Sequence, residues 1–144
     1  MAIGGKQFSM DLGYFPPCLS IDILIGSPDL KAKIVYKITN VLLDTGSDLT
    51  LIPNKIIQRL KLKPIGTKEL ENFSNEVVEV KYYLCRIIIE DVADAIFEIG
   101  GIDSDAMIGM DLMKDWHVLI NGPNGTFEIA NKINYNRHFQ PKIR

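Results

Sequence analysis

The chain has 144 residues, enough for one domain with a real core, and its 47% hydrophobic and 24% charged content is that of a globular protein rather than a disordered one. A formal net charge of −2 gives no electrostatic reason to expect nucleic acid or an anionic membrane as partner. No run of about 18 apolar residues is there to span a bilayer and no basic-then-apolar leader is visible, so the expected setting is cytoplasmic, with Cys18 and Cys85 reduced.

Along the chain the pattern is mostly β. Residues 1–18 read as an N-terminal extension. Residues 19–25 alternate apolar and polar before the break at Gly26-Ser27-Pro28, as a half-buried strand does. Residues 33–38 and 41–43 read as two strands on either side of Thr39-Asn40, and residues 48–52 as a further extended, β-branched segment. Pro53 opens a short helix over 54–60, with Ile56, Ile57 and Leu60 on one face. Residues 68–71 and 76–80 pair as a hairpin around the polar cluster Asn72-Phe73-Ser74-Asn75, and the second strand runs on to 89. Ala106-Met107-Ile108-Gly109 is a short apolar strand followed by a helical pattern over 110–116. Residues 117–120 and 126–130 form a closing hairpin around Asn121-Gly122-Pro123-Asn124-Gly125, and 131–144 is a basic, solvated tail. About eight short strands and two short helices imply a mainly β fold, a small closed or sandwiched β domain over 19–130.

One stretch carries chemistry. Asp44-Thr45-Gly46-Ser47 lies between the apolar runs Val41-Leu42-Leu43 and Leu49-Thr50-Leu51-Ile52. A carboxylate in such a place is costly unless it is hydrogen-bonded, and the next three residues offer two hydroxyls and a closely approaching amide. By chance the four residues recur in roughly one chain of this length per several hundred. A plain Asx-type turn would account for the four residues alone, but not for their apolar flanks.

These residues resemble those of the retropepsin-like aspartic proteases, the single-domain relatives of pepsin in retroviruses, retrotransposons and cellular genomes. The features fall in order: an early strand ending at Gly26-Ser27-Pro28, the turn Asp44-Thr45-Gly46-Ser47, a flap-like hairpin near Phe73-Ser74-Asn75, and Met107-Ile108-Gly109 leading into Met110-Asp111-Leu112-Met113. The resemblance implies a closed, barrel-like acid-protease fold and a homodimer that cleaves peptides with one Asp44 from each copy. Asp-Thr-Gly occurs once here, so the second carboxylate must come from another copy. It also implies that Thr45 hydrogen-bonds across the dyad and that Gly46 faces substrate. Asp48 matches a position that contacts the substrate main chain, and Ser47 a position that is Ala or Ser. A hydroxyl donated from Ser47 to the carboxylate would favour its charged form and a more acidic working pH. Leu49, Ile52 and Ile108 are candidate pocket residues, with Gly109 in support.

Three features depart from the retroviral pattern. The flap has no glycine, which leaves Asn75 as the residue best suited to positive φ. Met110 stands where many retroviral enzymes have an Arg paired with the acid equivalent to Asp48, as in retrotransposon and cellular members. The first eighteen residues and the stretch 27–39 are longer than a minimal viral enzyme needs. Other chemistries fit poorly. Asp103-Ser104-Asp105 starts like a calcium loop, but Ile108 falls where its glycine belongs and Lys114 where its bidentate acid belongs. His117 and His138 are the only histidines, so no zinc site or Ser-His pair is indicated, and no cofactor is expected. The rival reading is a non-catalytic dimeric module of the same fold that binds peptides.

Overall fold

In the computed structural model, which describes residues 4–29, 35–71 and 74–131, apolar residues at every second position turn the chain into strands whose inner faces close on one another. The strands are β1 (Lys6–Ser9), β2 (Ser20–Gly26), β3 (Val35–Leu43) and β4 (Leu51–Pro53), then β5 (Gly66–Glu71), β6 (Val77–Ile89) and β7 (Ala93–Ile102), and finally β8 (Met107–Ile108), β9 (Trp116–Asn121) and β10 (Thr126–Asn131). Two short helices, α1 (Asn54–Arg59) and α2 (Met110–Met113), follow β4 and β8.

The larger sheet runs β2-β3-β8-β4-β7-β6-β5. It closes on itself, because the far end of β6 returns to β2 with Leu24 opposite Ile88 and Ile25 opposite Ile87. The result is a small barrel from which the β5–β6 hairpin projects. Closure gives each of β2, β3, β8, β4, β7 and β6 a neighbour on both sides, although β3 meets β8 only at Leu42 and Leu43. The smaller sheet, β1-β10-β9, packs over the barrel. Phe127 and Ile129 from β10 join Ile23, Ile25, Ile52, Ile87, Ile99 and Ile108 in one buried cluster, and Phe8 stacks on Phe127 with ring centroids 5.2 Å apart.

Several expectations need correction. The two strands expected around Thr39-Asn40 are one continuous β3. Asn40 takes φ 53°, its amide donates to Asp22 Oδ1 at 3.0 Å, and the pairing register with β2 shifts between Ile21 and Ile23, so the polar pair is a bulge and not a turn. Residues 33 and 34 of that expected strand, and the tail from 132, lie outside the described residues. β1 lies within the stretch read as an extension, yet it pairs with β10, Phe8 opposite Phe127. The second helix ends at Met113, because Trp116 already pairs with Asn131 as the first residue of β9. Of residues 48–52, only Leu51 and Ile52 are in a strand.

β7 escaped the sequence reading because Gly100-Gly101 weakens the strand signal. Space explains the glycines. A Cβ on Gly100 would meet Leu51 Cδ2 at 2.8 Å and Val80 Cγ1 at 2.9 Å, and one on Gly101 would collide with the Asn54 side chain. They let β4 lie against β7 in parallel, Leu51 opposite Gly100. That contact positions the strand leaving the Asp44 turn.

Candidate active site

β3 and β4 are consecutive in sequence but not adjacent in the sheet, because β8 lies between them. The connecting loop, residues 44–50, therefore has to pass across the end of β8, and its backbone groups bond to the residues there. Asp44 N–H donates to Ile108 O at 2.9 Å, Met110 N–H to Ser47 O at 2.8 Å, and Gly109 N–H to Thr50 Oγ1 at 3.0 Å. A Cβ on Gly109 would lie 2.8 Å from Ser47 O and from the Leu49 carbonyl, so only glycine allows the loop this close.

The turn is also braced from within. Gly46 N–H donates to Asp44 Oδ1 at 2.9 Å and Ser47 N–H to Asp44 O at 3.1 Å. Asp44 and Ser47 are half-buried and Thr45, Gly46 and Asp48 exposed, while Leu43 and Leu49 on either side are buried. A carboxylate is thus presented at the surface by a loop that has little freedom to move. Within the turn the Asp44 carboxylate accepts one hydrogen bond, from Gly46 N–H. The Ser47 hydroxyl is not among its donors. It donates to Leu49 O at 2.8 Å, so it stabilises the loop, and the basis for a Ser47-driven acidic working pH falls away.

Two residues that the sequence reading passed over complete the brace. Thr50 is fully buried, and its hydroxyl donates to Asp111 Oδ1 at 2.7 Å while its amide donates to Asp111 Oδ2 at 3.0 Å. Asp111 Oδ1 also receives Leu112 N–H at 2.9 Å at the start of α2. A polar residue between Leu49 and Leu51 was the available signal, since a buried hydroxyl needs a partner.

The other expected site residues divide. Leu49 packs with Leu51 and Val80 in a second, smaller cluster that Leu70, Ile102 and Met107 border, so the β5–β6 hairpin touches the loop after the turn. Ser74 and Asn75 are exposed at the tip of that hairpin, beyond the last pair Glu71–Val77, and Asn75 does take positive φ, 57°. Phe73 lies outside the described residues. Ile52 and Ile108 are fully buried in the main core, which makes them scaffold and not pocket lining; Ile108 serves the site through its carbonyl. Among the described residues no cluster of three or more His, Cys, Asp or Glu is placed to hold a metal, and no helix is long and apolar enough to cross a membrane.

No family model matches this chain, and no curated protein matches it either. Among solved structures it is similar to EIAV protease complexed with the inhibitor HBY-793, at 19% identity and a TM-score of 0.52, over 75% of this chain and 93% of that one. It is also similar to a retropepsin-like aspartic protease from Rickettsia conorii, at 16% identity and a TM-score of 0.49, over 87% of this chain and 98% of that one. The likeness to EIAV protease shows the fold: the small closed barrel is of the retropepsin-like type.

Proposed function

We propose that the chain is an aspartic endopeptidase that works as a homodimer, with one Asp44 from each copy. The observation that carries this reading is the half-buried Asp44 carboxylate on a loop pinned to Ile108, Gly109 and Met110, together with the occurrence of Asp-Thr-Gly once per chain. Two carboxylates about 3 Å apart do not both ionise, so the pair shares one proton. The ionised member takes a proton from a water held between the two, and the protonated member donates to the scissile carbonyl oxygen. The resulting gem-diol collapses with protonation of the leaving amine, and no covalent enzyme intermediate forms. The apparent pKa values belong to the pair.

Substrate is an extended peptide under the β5–β6 hairpin, held by main-chain hydrogen bonds with apolar pockets for its side chains. Leu49 and Val80, both buried, pack behind the turn and support it, and Asp48 and Gly46 face the peptide backbone. Thr45 links the two turns across the dimer. Cys18 and Cys85 are free thiols, which fits the proposed cytoplasmic setting.

The test is a mixed peptide library between about pH 4 and 7, incubated with wild type and with Asp44→Asn and read by mass spectrometry. Cuts made by wild type and absent in the variant are expected. A dimeric wild type that cuts nothing overturns the protease reading in favour of a peptide-binding module.

A further inference from the structure

β1 and β2 are antiparallel neighbours that meet at one end only. Just past β1, Asp11 N–H donates to Cys18 O at 2.9 Å and Cys18 N–H to Asp11 O at 3.3 Å. Carried on in the same register, Ser9 would stand opposite Ser20 and Gln7 opposite Asp22, but among the described residues neither pair forms. The strands splay instead. A groove of about 590 Å³ opens between them, within the span of a ligand cleft, and Lys6, Met10, Ser20, Asp22 and Glu90 are among the residues that line it.

Alternation along each strand shows what faces the opening, because successive residues of an antiparallel strand direct their N–H and C=O groups to opposite sides. Met10 N–H donates to Gly125 O on the β10 side. Gln7 and Ser9, in phase with Asp11, therefore direct their backbone groups away from β10 and into the groove. On the other wall Leu19 O accepts Leu43 N–H from β3, so Ser20 and Asp22, in phase with Cys18, also direct theirs into the groove. This is the side of β2 that β6 occupies from Leu24 onward, and before Leu24 no described strand takes it. Two unpaired strand edges thus face one opening.

We propose that this groove binds an extended segment of another protein, carrying Lys and Arg, that adds as a strand between β1 and β2. An extended main chain is the ligand that meets both rows of donors and acceptors at once. Charge sets the sign of its side chains. Asp11, Asp22 and Glu90 line the groove against Lys6 alone, and Lys6 is already paired with Asp91 at 3.4 Å. Asp22 has Lys37 at 3.6 Å, whereas among the described residues Asp11 and Glu90 have no basic partner. Met10, Leu12 and Ile21 set apolar surface between the carboxylates, so a segment of alternating basic and apolar residues meets both. The site is separate from the Asp44 turn and needs none of its chemistry.

Fluorescence polarisation tests this on the full chain carrying Asp44→Asn, so that no probe is cut. The probes are two labelled libraries of short peptides with alternating apolar and charged residues, one with Lys and Arg at the charged positions and one with Glu. The basic library is expected to bind and the acidic one is not. Ser9→Pro removes a groove-facing N–H and leaves the β10 ladder its donors, so it should weaken binding about 10-fold. Glu90→Lys should weaken it as much and flatten its dependence on salt. If Ser9→Pro does not fold, amide exchange decides: the basic library should slow the amides of Gln7, Ser9, Ser20 and Asp22 and leave those of Met10 and Leu43 as they are. No binding of the basic library, equal binding of both libraries, or protection elsewhere on the chain overturns the proposal. So does binding that appears only once residues 132–144 are removed, since the occupant is then that segment of this chain.

Discussion

The Asp111 carboxylate receives both the hydroxyl and the backbone amide of Thr50, at 2.7 and 3.0 Å, and so ties the first turn of α2 to the strand that leaves the Asp44 loop. Thr50 Oγ1 in turn accepts Gly109 N–H, which makes one buried hydroxyl the junction of both sequence motifs. Thr50→Val keeps the volume and removes the junction. It leaves Gly109 N–H without its partner and takes from Asp111 Oδ1 one of its two donors, at a cost of about 1–3 kcal/mol. Thr50→Ser should recover most of that loss. Urea unfolding of the three proteins checks this, and a Thr50→Val as stable as wild type would mean the junction contributes nothing.

Gly109→Ala strikes the same junction through space. The added Cβ would sit 2.8 Å from two backbone carbonyl oxygens of the Asp44 loop, and neither can swing away as a side chain would. The loop must shift, at a cost of about 1–3 kcal/mol. A misplacement of about 1 Å in the turn is expected to lower kcat/KM by about 100-fold. Gly122→Ala, where a Cβ meets nothing within 4 Å, is the matching control and should change neither stability nor activity.

Ser47→Ala separates two roles that the sequence alone runs together. The hydroxyl is bonded to Leu49 O and not to Asp44. Its loss should therefore cost about 0.5–1.5 kcal/mol of stability and leave the acidic limb of the pH–rate curve where it is. A limb that moves to higher pH would show that the hydroxyl reaches the carboxylate in the active protein.

What was legible in the sequence was what local pattern encodes. The Asp44 turn, the strand of Met107-Ile108, the long β6 with its hairpin and α1 over 54–59 all follow from periodicity, turn residues and capping. What was not legible depended on partners distant in sequence. Gly100 and Gly101 read as strand breakers until β4 is seen lying against them. β1 is only four residues long and is defined by β10, about 120 positions away along the chain. Ile52 and Leu49 look alike as neighbours of the turn. Only the fold separates Ile52, fully buried in the main core, from Leu49, which packs against Val80 of the hairpin. Thr50 and Asp111 are 61 residues apart, so neither predicts the other.

Cys85 supplies a prediction independent of catalysis. It is fully buried in β6, and burial pushes its thiol up to about 12 from an ordinary value of 9.0. The unfolded chain releases this proton near pH 9, and the folded chain holds it until about 12. Between those values the native state binds more protons than the unfolded one, so stability falls as pH rises, by up to about 1.4 kcal/mol per unit. The contribution is fully present below pH 9. Cys85→Ala should start less stable, because it leaves a small cavity, but its stability should decline less steeply from pH 9 to 10.5. The same burial governs reactivity, since the thiolate is the reacting form. With a thiol reagent at pH 8, the half-buried Cys18 should label in the native protein and Cys85 only once the fold opens. Labelling of Cys85 at the rate of Cys18 in native buffer would show that β6 opens far more readily than its place in the barrel implies.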